Sequence, residues 1–482
     1  MKKLLALLLA LLTLTSSACA ETLRLYQVDV TDDFKAAHPD VEIITNHGGE
    51  QRISYNGMEL NNALLSGGFS WDVFEAYTMY TDLQLLYQKG YLLDLSSSET
   101  ISDFIARLYP DIAAQCMYDG KIYGVPLYIG YKELPMMAWH EMWQDAGYTQ
   151  VDLPQTFGEY LDFIDAWLDR REDEPDLTLN VVADYTPYQY GIHSYPGLLV
   201  DELLDNYMLQ HLYAGDTLRF DDPTLIPLLE KAKTVGERIF TYEPTKTDYN
   251  SNYGLFTGAG HELEYAELNE WQVDLRIHED QPTLMNFFLT IGGIYAGTEH
   301  PELAIAALED HLLNWMEEDV HQEHIARMCM DGEPVRNPQF ESQMRLSQNI
   351  IEMCERRLAG DDTPYTEYVD MTDLDYYQSS VARLAAELPE MKDADVRDEL
   401  AIQQEGMERY KQYEYVLSPE NLAAWQQYAQ HLYIPGPNVF TTDEGYENFK
   451  SLKSQFVNGL IDARQLVSEL DRIAWMMEME NQ

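Results

Sequence analysis

Short apolar strands alternate with helices along residues 21–125, and this alternation limits the fold more than any other feature of the sequence. Leu23–Val28 alternates apolar and polar residues, which predicts a first strand, and the β-branched run Val41–Ile44 predicts a second. A helical stretch at Met58–Leu65 precedes a third short strand at Trp71–Phe74. Strands that are separated by helices usually pair in parallel, so the sequence predicts an α/β fold on a parallel sheet.

The pattern becomes mainly helical after residue 154. Thr156 is a predicted helix N-cap, because Glu159 follows three residues later and the pair forms the sequence signature of a capping box. Leu289–Tyr295 returns to a strand pattern, and residues beyond 342 are almost all helical in pattern. The second half of the chain is therefore predicted to be helix-rich.

The first 20 residues have the three parts of a secretory signal peptide. Lys2-Lys3 is followed by the apolar run Leu4–Leu14, which is too short to span a membrane, and then by small residues. Cleavage after Ala20 fits the small-residue rule, and lipidation of Cys19 stays open as the alternative, with Ser16 where a lipobox prefers Leu. The sequence thus predicts export to the cell envelope or the extracellular space, with or without a lipid anchor on Cys19.

The length and the charge of the chain restrict its organisation and its partners. A chain of 482 residues is too long for one ordinary domain and suits two α/β domains. Its 31 basic and 83 acidic residues give a net charge of −52, so nucleic acid is not expected as a partner, since phosphate binding requires clustered Lys and Arg. A solvated acidic surface explains the charge most simply, and an acidic cleft for a cationic ligand is the alternative.

Motif searches find little that suggests chemistry on a substrate. The sequence has no Gly-x-Ser-x-Gly elbow, P-loop or His-Glu-x-x-His motif. His321 and His324 are spaced for a metal, but a surface position is the favoured interpretation, so no metal and no cofactor are expected. Removal of Cys19 leaves an odd number of cysteines, which favours buried thiols over a disulfide framework, although one bridge between Cys329 and Cys354 stays open.

Seven segments of the chain occur in the order in which they occur in a known receptor family. They are Asp32–Ile43, Leu64–Ala76, Leu86–Ser96, Tyr118–Gly130, Asp152–Leu168, Gly293–Leu312 and Phe449–Glu480. On these segments the chain resembles the extracellular solute-binding proteins of ABC importers, which include maltodextrin-binding and multiple-sugar-binding receptors. Residues 184–278 match only loosely, and the short link Gln27–Asp32 departs from the family pattern.

The resemblance implies a two-lobed, periplasmic-binding-protein type II-like fold whose discontinuous lobes are joined by hinge strands. Lobe 1 is expected to be residues 21–131 plus 286–343, and lobe 2 residues 132–285 plus 344–482. The implied crossings lie near Tyr128–Pro135, Gln281–Leu289 and Glu341–Ile350.

The resemblance also implies the function of a monomeric receptor without catalytic activity. It is expected to capture a small solute, a mono- or oligosaccharide, between its lobes and deliver it to ABC permease subunits in the membrane. Three alternatives stay open. One is a receptor of the same fold for a polyamine or another cationic solute, and another is a secreted carbohydrate-active enzyme with two convergent carboxylates. The third is a binding protein that serves as a sensor or adhesin, which the sequence does not separate from an import receptor.

Candidate ligand-binding residues come from the loops that follow the predicted strands. Aromatic rings suit the C–H faces of sugars, and carboxylates and amides suit their hydroxyl groups. The candidates are Asn46, Glu50, Tyr77, Tyr80, Asp82, Tyr128, Tyr131, Tyr185, Tyr188 and Trp271. The chain has 34 Tyr, so each of these positions also has an ordinary interpretation as half-buried packing.

Overall fold

The structure is a computed structural model that describes most of the chain. It describes residues 21–46, 60, 63–64, 66, 68–131, 136–174, 180–182, 195–215, 217–242, 254–258, 270–273, 275–282, 284, 287–361, 363–365, 368, 375–429, 432–438, 440 and 443–481. The leader predicted at residues 1–20 lies outside the described residues. Within the described residues, no helix combines the length and the apolar character needed to cross a membrane.

The secondary structure combines short strands with longer helices. The strands are β1 (Glu21–Tyr26), β2 (Val41–Asn46), β3 (Val73–Tyr77), β4 (Met117–Tyr118), β5 (Lys121–Ile122), β6 (Gly124–Tyr131), β7 (Met136–Trp139), β8 (Asn180–Val182), β9 (Gly254–Gly258), β10 (Glu270–Gln272), β11 (Phe287–Ile294), β12 (Val335–Arg336) and β13 (Tyr415–Leu417). The α-helices are Asp32–Ala37, Leu83–Gln88, Glu99–Arg107, Pro110–Cys116, His140–Asp145, Phe157–Asp173, Tyr195–Tyr213, Leu225–Tyr242, Pro301–Glu317, Gln322–Met328, Phe340–Leu358, Asp375–Glu387, Asp393–Tyr410, Pro419–Tyr428, Asp443–Val457 and Ala463–Asn481.

The chain divides into two compact units. The first contains the residues up to Glu317, Met328–Met330 and Tyr428–Gln482, and the second contains Glu318–Arg327 and Asp331–Gln427. The sequence did not predict a separate second unit. The segment Glu341–Ile350, where a crossing between the lobes is expected, is part of the helix Phe340–Leu358 of that unit. The expected boundaries of the two lobes stay a prediction.

The first unit contains a five-stranded sheet, the first sheet, in the order β2-β1-β3-β11-β6. β1 pairs in parallel with both β2 and β3, which confirms the parallel pairing predicted for these strands. β11 is antiparallel to both β3 and β6. The carboxyl ends of β1, β2, β3 and β6 therefore lie at one edge of the sheet, together with the amino end of β11. We call this edge the carboxyl edge.

The second sheet has the order β10-β7-β9-β8 and packs against long helices. Its core is strongly aromatic: Trp143 and Phe256 are fully buried, and the Trp143 indole N–H donates to the carbonyl of Leu255 at 2.7 Å. The predicted cap at Thr156 is confirmed, since the Glu159 N–H donates to its hydroxyl at 3.2 Å.

The second unit has its own small core on the helices Phe340–Leu358, Asp375–Glu387 and Asp393–Tyr410. A buried ion pair lies elsewhere in this unit: the Arg327 Nε donates to Glu323 Oε1 at 2.8 Å. The Arg327 guanidinium lies 5.1 Å from the centre of the Trp425 ring, and the indole N–H of Trp425 donates to the Arg327 carbonyl at 2.8 Å. The buried charge is thereby both paired and hydrogen-bonded, as burial of an ion requires.

The cysteines of the described residues carry no disulfide bond. Cys116, Cys329 and Cys354 are all buried, which confirms the interpretation of buried thiols and excludes the alternative bridge between Cys329 and Cys354. Burial raises the pKa of the Cys354 thiol to about 11 and raises that of Cys116 still further.

Arg238 and Lys231 both join two helices of the first unit, and Lys231 pairs with Asp162. Arg238, on the helix Leu225–Tyr242, pairs with Asp165, with Asp169 at 2.7 Å and with Glu172 at 3.5 Å, all on the helix Phe157–Asp173. Without this cation, three carboxylates within two turns of one helix would repel each other.

Replacement of Arg238 by Ala should lower the free energy of unfolding by about 1–2 kcal/mol at low salt, and by less at high salt, because the guanidinium is partly exposed and its attraction is screened. Urea titrations at two salt concentrations measure both effects. Arg238→Lys should fall between the two proteins, since an ammonium group cannot match the fork of the guanidinium. The exposed pair Lys411–Glu408 supplies a control in Lys411→Ala, and an equal loss in that variant would contradict the assignment.

Candidate functional site

Aromatic side chains meet at the carboxyl edge of the first sheet. Thr290 of β11 lies opposite Tyr77 of β3 and opposite Tyr128 of β6, so the side chains of all three point to the same face. Phe288 lies on that face too, because it precedes Thr290 by two residues. Tyr80 follows on the loop after β3. We call Tyr77, Tyr80, Tyr128 and Phe288 the aromatic patch.

The rings of the aromatic patch form a connected and partly exposed surface. The ring centres of Tyr77 and Tyr80 lie 6.5 Å apart, those of Tyr77 and Phe288 6.1 Å apart, and those of Tyr128 and Phe288 5.6 Å apart. Tyr80 is 44% exposed and Tyr128 is 38% exposed. Large aromatic residues in such positions offer an apolar face with hydroxyl groups at its rim, a combination that suits an amphipathic ligand.

Gly130 allows two of these rings to approach the strand. It lies opposite Phe288, and a Cβ atom at this position would be 2.5 Å from Cε1 of Tyr128 and 2.9 Å from Cε1 of Phe288. Any larger residue would displace the ends of both side chains. The arrangement of the patch therefore depends on a glycine that the sequence analysis did not single out.

The loop between β3 and the next helix is held by hydrogen bonds to a backbone carbonyl and to the side chains of Thr78 and Asp82. The Thr78 N–H donates to the Leu289 carbonyl at 3.0 Å, and the Leu289 N–H donates to the Thr78 hydroxyl at 2.9 Å. Asp82 is the N-cap of the helix Leu83–Gln88, and its carboxylate accepts from the Leu85 N–H at 2.9 Å. Asp82 thus positions the loop that carries Tyr80.

The other predicted site residues are distributed over both sheets. Asn46 ends β2 at the carboxyl edge, where its backbone pairs with Tyr26 of β1. Tyr131 ends β6 opposite Phe287, and Trp271 lies in β10 of the second sheet, opposite Ala138. The predicted residues outside the described residues are Glu50, Tyr185 and Tyr188.

A polar cluster that the sequence analysis missed lies next to the aromatic patch. Glu75 precedes Tyr77 by two residues on β3 and points to the same face of the sheet. Its side chain is only 16% exposed, and its Oε1 lies 3.8 Å from Nε2 of His311 on the helix Pro301–Glu317. His311 Nδ1 lies 2.9 Å from the carbonyl oxygen of Asp29. Glu75 could have been noticed as the one charged residue in an otherwise apolar strand.

The surroundings of Glu75 favour its neutral form. Burial, and then the nearby charge of Asp29, raise the pKa of the Glu75 carboxyl group to about 8. The pKa of Tyr77 is also raised, by burial and then by Glu75. At neutral pH the carboxyl group is therefore largely protonated, so it can donate a hydrogen bond as well as accept one.

The histidine pair considered as a metal site lies in the second unit. His321 Nε2 is 3.2 Å from a carboxylate oxygen of Glu318, and burial lowers the pKa of His321. The part of the chain that the structure describes contains no group of three or more His, Cys, Asp or Glu side chains placed to hold a metal ion.

Comparison with known families gives one match, which covers about half of the chain. The family described as "bacterial extracellular solute-binding protein" matches residues 29–281. That range includes Glu75 and the patch residues Tyr77, Tyr80 and Tyr128. Comparison with curated proteins gives no match.

Solved structures resemble the chain at low sequence identity. One, from a study of xylan utilisation by Caldanaerobius polysaccharolyticus, is 11% identical with a TM-score of 0.49 and covers 94% of this chain and 99% of its own. An ABC substrate-binding protein of Listeria monocytogenes in complex with cycloalternan is 11% identical, with a TM-score of 0.48 and coverages of 95% and 99%. A solute-binding protein of Agrobacterium vitis with bound D-mannitol is 14% identical, with a TM-score of 0.44 and coverages of 96% and 99%.

Replacement of Glu75 by Gln should stabilise the protein increasingly as the pH rises. The pKa of Glu75 is about 8 in the folded state and near 4.5 in the unfolded state, so the unfolded chain loses this proton first. Glu75 therefore makes the free energy of unfolding of the native protein fall as the pH rises from about 5 to about 8, and this contribution is absent in Glu75→Gln. At pH 7 the variant should gain roughly 2–4 kcal/mol.

Urea titrations at pH 5, 7 and 9 measure this difference. Glu42→Gln, at an exposed position of β2, is the matched control and should show no such trend. A constant difference between Glu75→Gln and the native protein at all three pH values would contradict the assignment.

Proposed function

Because the chain belongs to the bacterial extracellular solute-binding proteins, we propose that it is an exported receptor that captures a small carbohydrate and delivers it to an ABC permease. The observation that carries the carbohydrate assignment is the aromatic patch at the carboxyl edge, with Tyr80 44% and Tyr128 38% exposed. Open α/β sheets bind their ligands at such edges.

Sugars suit the chemistry of this patch. Each pyranose ring has a face of C–H groups that packs on an aromatic ring, and a rim of hydroxyl groups that hydrogen-bonds with tyrosine hydroxyls and carboxyl groups. A polyamine is the competing ligand, since the net charge of −52 would attract cations. Two carboxyl groups lie two residues from the patch along the chain. Asp82 caps the helix Leu83–Gln88, and Glu75 has a raised pKa that keeps it largely uncharged at neutral pH, which favours a neutral solute.

The proposal includes the two expected lobes and a hinge between them. In support, the chain passes from β6 of the first sheet to β7 of the second, and it returns to the first sheet at β11. The segment before β11 is held by Gln210, whose side-chain amide donates to the Pro282 carbonyl at 3.0 Å. Closure of the lobes would bury the aromatic patch around the ligand, and the permease would bind the closed form.

The proposed receptor is a monomer that performs no reaction on its solute. Its proposed membrane partners are the permease subunits, and its attachment to the cell envelope through a lipid on Cys19 is the alternative to release after cleavage behind Ala20. The match to a family of binding proteins supports the non-catalytic function.

A thermal-shift screen followed by calorimetry tests this function. The panel is maltose, maltotriose, xylotriose, raffinose, D-mannitol, putrescine and spermidine. A carbohydrate at a hundredfold excess over its dissociation constant should add about 2.7 kcal/mol to the stability and be recovered unchanged. If only the two polyamines raise the stability, the ligand is a cation and the carbohydrate assignment is wrong. If an oligosaccharide is consumed, the protein is an enzyme.

Removal of either exposed ring of the patch should weaken carbohydrate binding. Tyr80→Ala and Tyr128→Ala should each lower the affinity about tenfold, which equals about 1.4 kcal/mol, because each variant removes an aromatic ring on which the ligand would pack. Calorimetry measures the affinity, and Tyr446→Ala, at a tyrosine that is 51% exposed outside the patch, is the matched control. Equal affinities in the three variants would exclude the patch as the binding surface.

Replacement of Gly130 by Ala should weaken binding without loss of the fold. The added Cβ atom would displace the rings of Tyr128 and Phe288, both of which are side-chain ends that can move. We expect an affinity loss of about three- to tenfold with a melting temperature close to that of the native protein, and the same calorimetry with a thermal melt measures both. Gly406→Ala, on an exposed helix with open space around the glycine, is the control.

A further inference from the structure

Glu75 lies on the same face of the first sheet as the aromatic patch. It is on the same face of β3 as Tyr77, two residues away, which corresponds to about 6–7 Å along a strand. The residue of β11 that pairs with Glu75 is Gly292, so no side chain of β11 lies opposite it. The Glu75 side chain is largely buried, but 16% of it is exposed to solvent.

Two segments outside β3 carry charged or titratable groups near Glu75. Asp29 follows β1, and the helix Pro301–Glu317 contributes His311 and Asp310. Asp310 is fully engaged with Thr31, whose N–H and hydroxyl both donate to it at 2.8 Å.

Tyr77, two residues along the same strand, is the tyrosine whose pKa Glu75 raises. Tyr77 in turn lies near Tyr26 of β1 and Tyr80 of the following loop. In the described residues around Glu75, no Lys or Arg makes an ion pair with its carboxyl group, and the only cationic candidate is His311, at 3.8 Å.

From this arrangement we propose that Glu75 is a specificity-determining residue of the aromatic patch, and that its carboxyl group forms a hydrogen bond with a hydroxyl group of an uncharged solute. The inference rests on the proposed carbohydrate function and identifies the kind of ligand that the site selects. Deprotonation turns the group into an acceptor only, and it places a second negative charge beside Asp29. A neutral solute is therefore bound more weakly once Glu75 ionises, whereas a cationic solute would be bound more tightly.

The expected pH dependence follows from the raised pKa of about 8. Loss of one bound proton that the ligand complex requires weakens binding by up to a factor of ten per pH unit above that pKa. The affinity for a neutral sugar should thus be level between pH 6 and 7 and fall about tenfold between pH 7 and 9.

The experiment measures affinity by calorimetry at pH 6, 7, 8 and 9 for the tightest-binding carbohydrate of the panel, with spermidine as a cationic probe. The proteins are the full mature chain and the variants Glu75→Gln, Glu75→Ala and Glu42→Gln. Glu75→Ala should lose about tenfold in affinity at pH 6, and Glu75→Gln should recover part of that loss, because the amide can still donate. The profile of Glu75→Gln should be flat, while Glu42→Gln should keep the decline of the native protein. Thermal melts at each pH show that every variant is folded.

The outcomes separate this inference from the proposed function. A carbohydrate that binds with a flat pH profile, or with the same decline in Glu75→Gln, overturns the function of Glu75 and leaves the receptor function in place. Binding of spermidine alone, with an affinity that rises with pH, overturns both, as does the absence of any binding.

Discussion

The hydrogen-bonded register of β11 between β3 and β6 is the interaction on which the rest of the site depends. This strand is antiparallel to both neighbours, and it arrives from residues more than 150 positions later in the sequence. The register places Thr290 opposite Tyr77 and Tyr128, and it brings Phe288 between their rings. A shift of the β11 register by one residue would turn Phe288 to the other face of the sheet and separate its ring from those of Tyr77 and Tyr128. The site is therefore a product of long-range strand pairing rather than of a local motif.

Sequence patterns predicted those strands and helix caps that are determined by residues close together in the chain. The strands β1 to β3 follow from apolar runs, and the cap at Thr156 follows from the spacing of two side chains. The direction of β11 could not be read from the sequence, since Leu289–Tyr295 has the same apolar pattern in either orientation. The second unit was missed for a similar reason, because its helices have the same periodicity as helices elsewhere in the chain.

The same reasoning explains which site residues were predicted. Tyr77, Tyr80 and Tyr128 were predicted because they follow strands that the sequence reveals, and the structure brings these three together. Phe288 was expected in the crossing Gln281–Leu289, just before the predicted strand Leu289–Tyr295, and Glu75 was not among the candidate residues. Glu75 lies beside His311 of the helix Pro301–Glu317, and Phe288 lies beside Tyr77 and Tyr128 through strand pairing; the sequence alone gives neither contact.

The buried thiols have a consequence for how the motion of this protein can be followed. Cys116, Cys329 and Cys354 are enclosed by the fold, and two of them hold their protons well above neutral pH, so the thiolate that reacts with alkylating reagents is scarce. A maleimide fluorophore would therefore react preferentially with a cysteine introduced on the surface. Pairs of such cysteines, one near each sheet, would report distance changes in solution while the native cysteines stay in place.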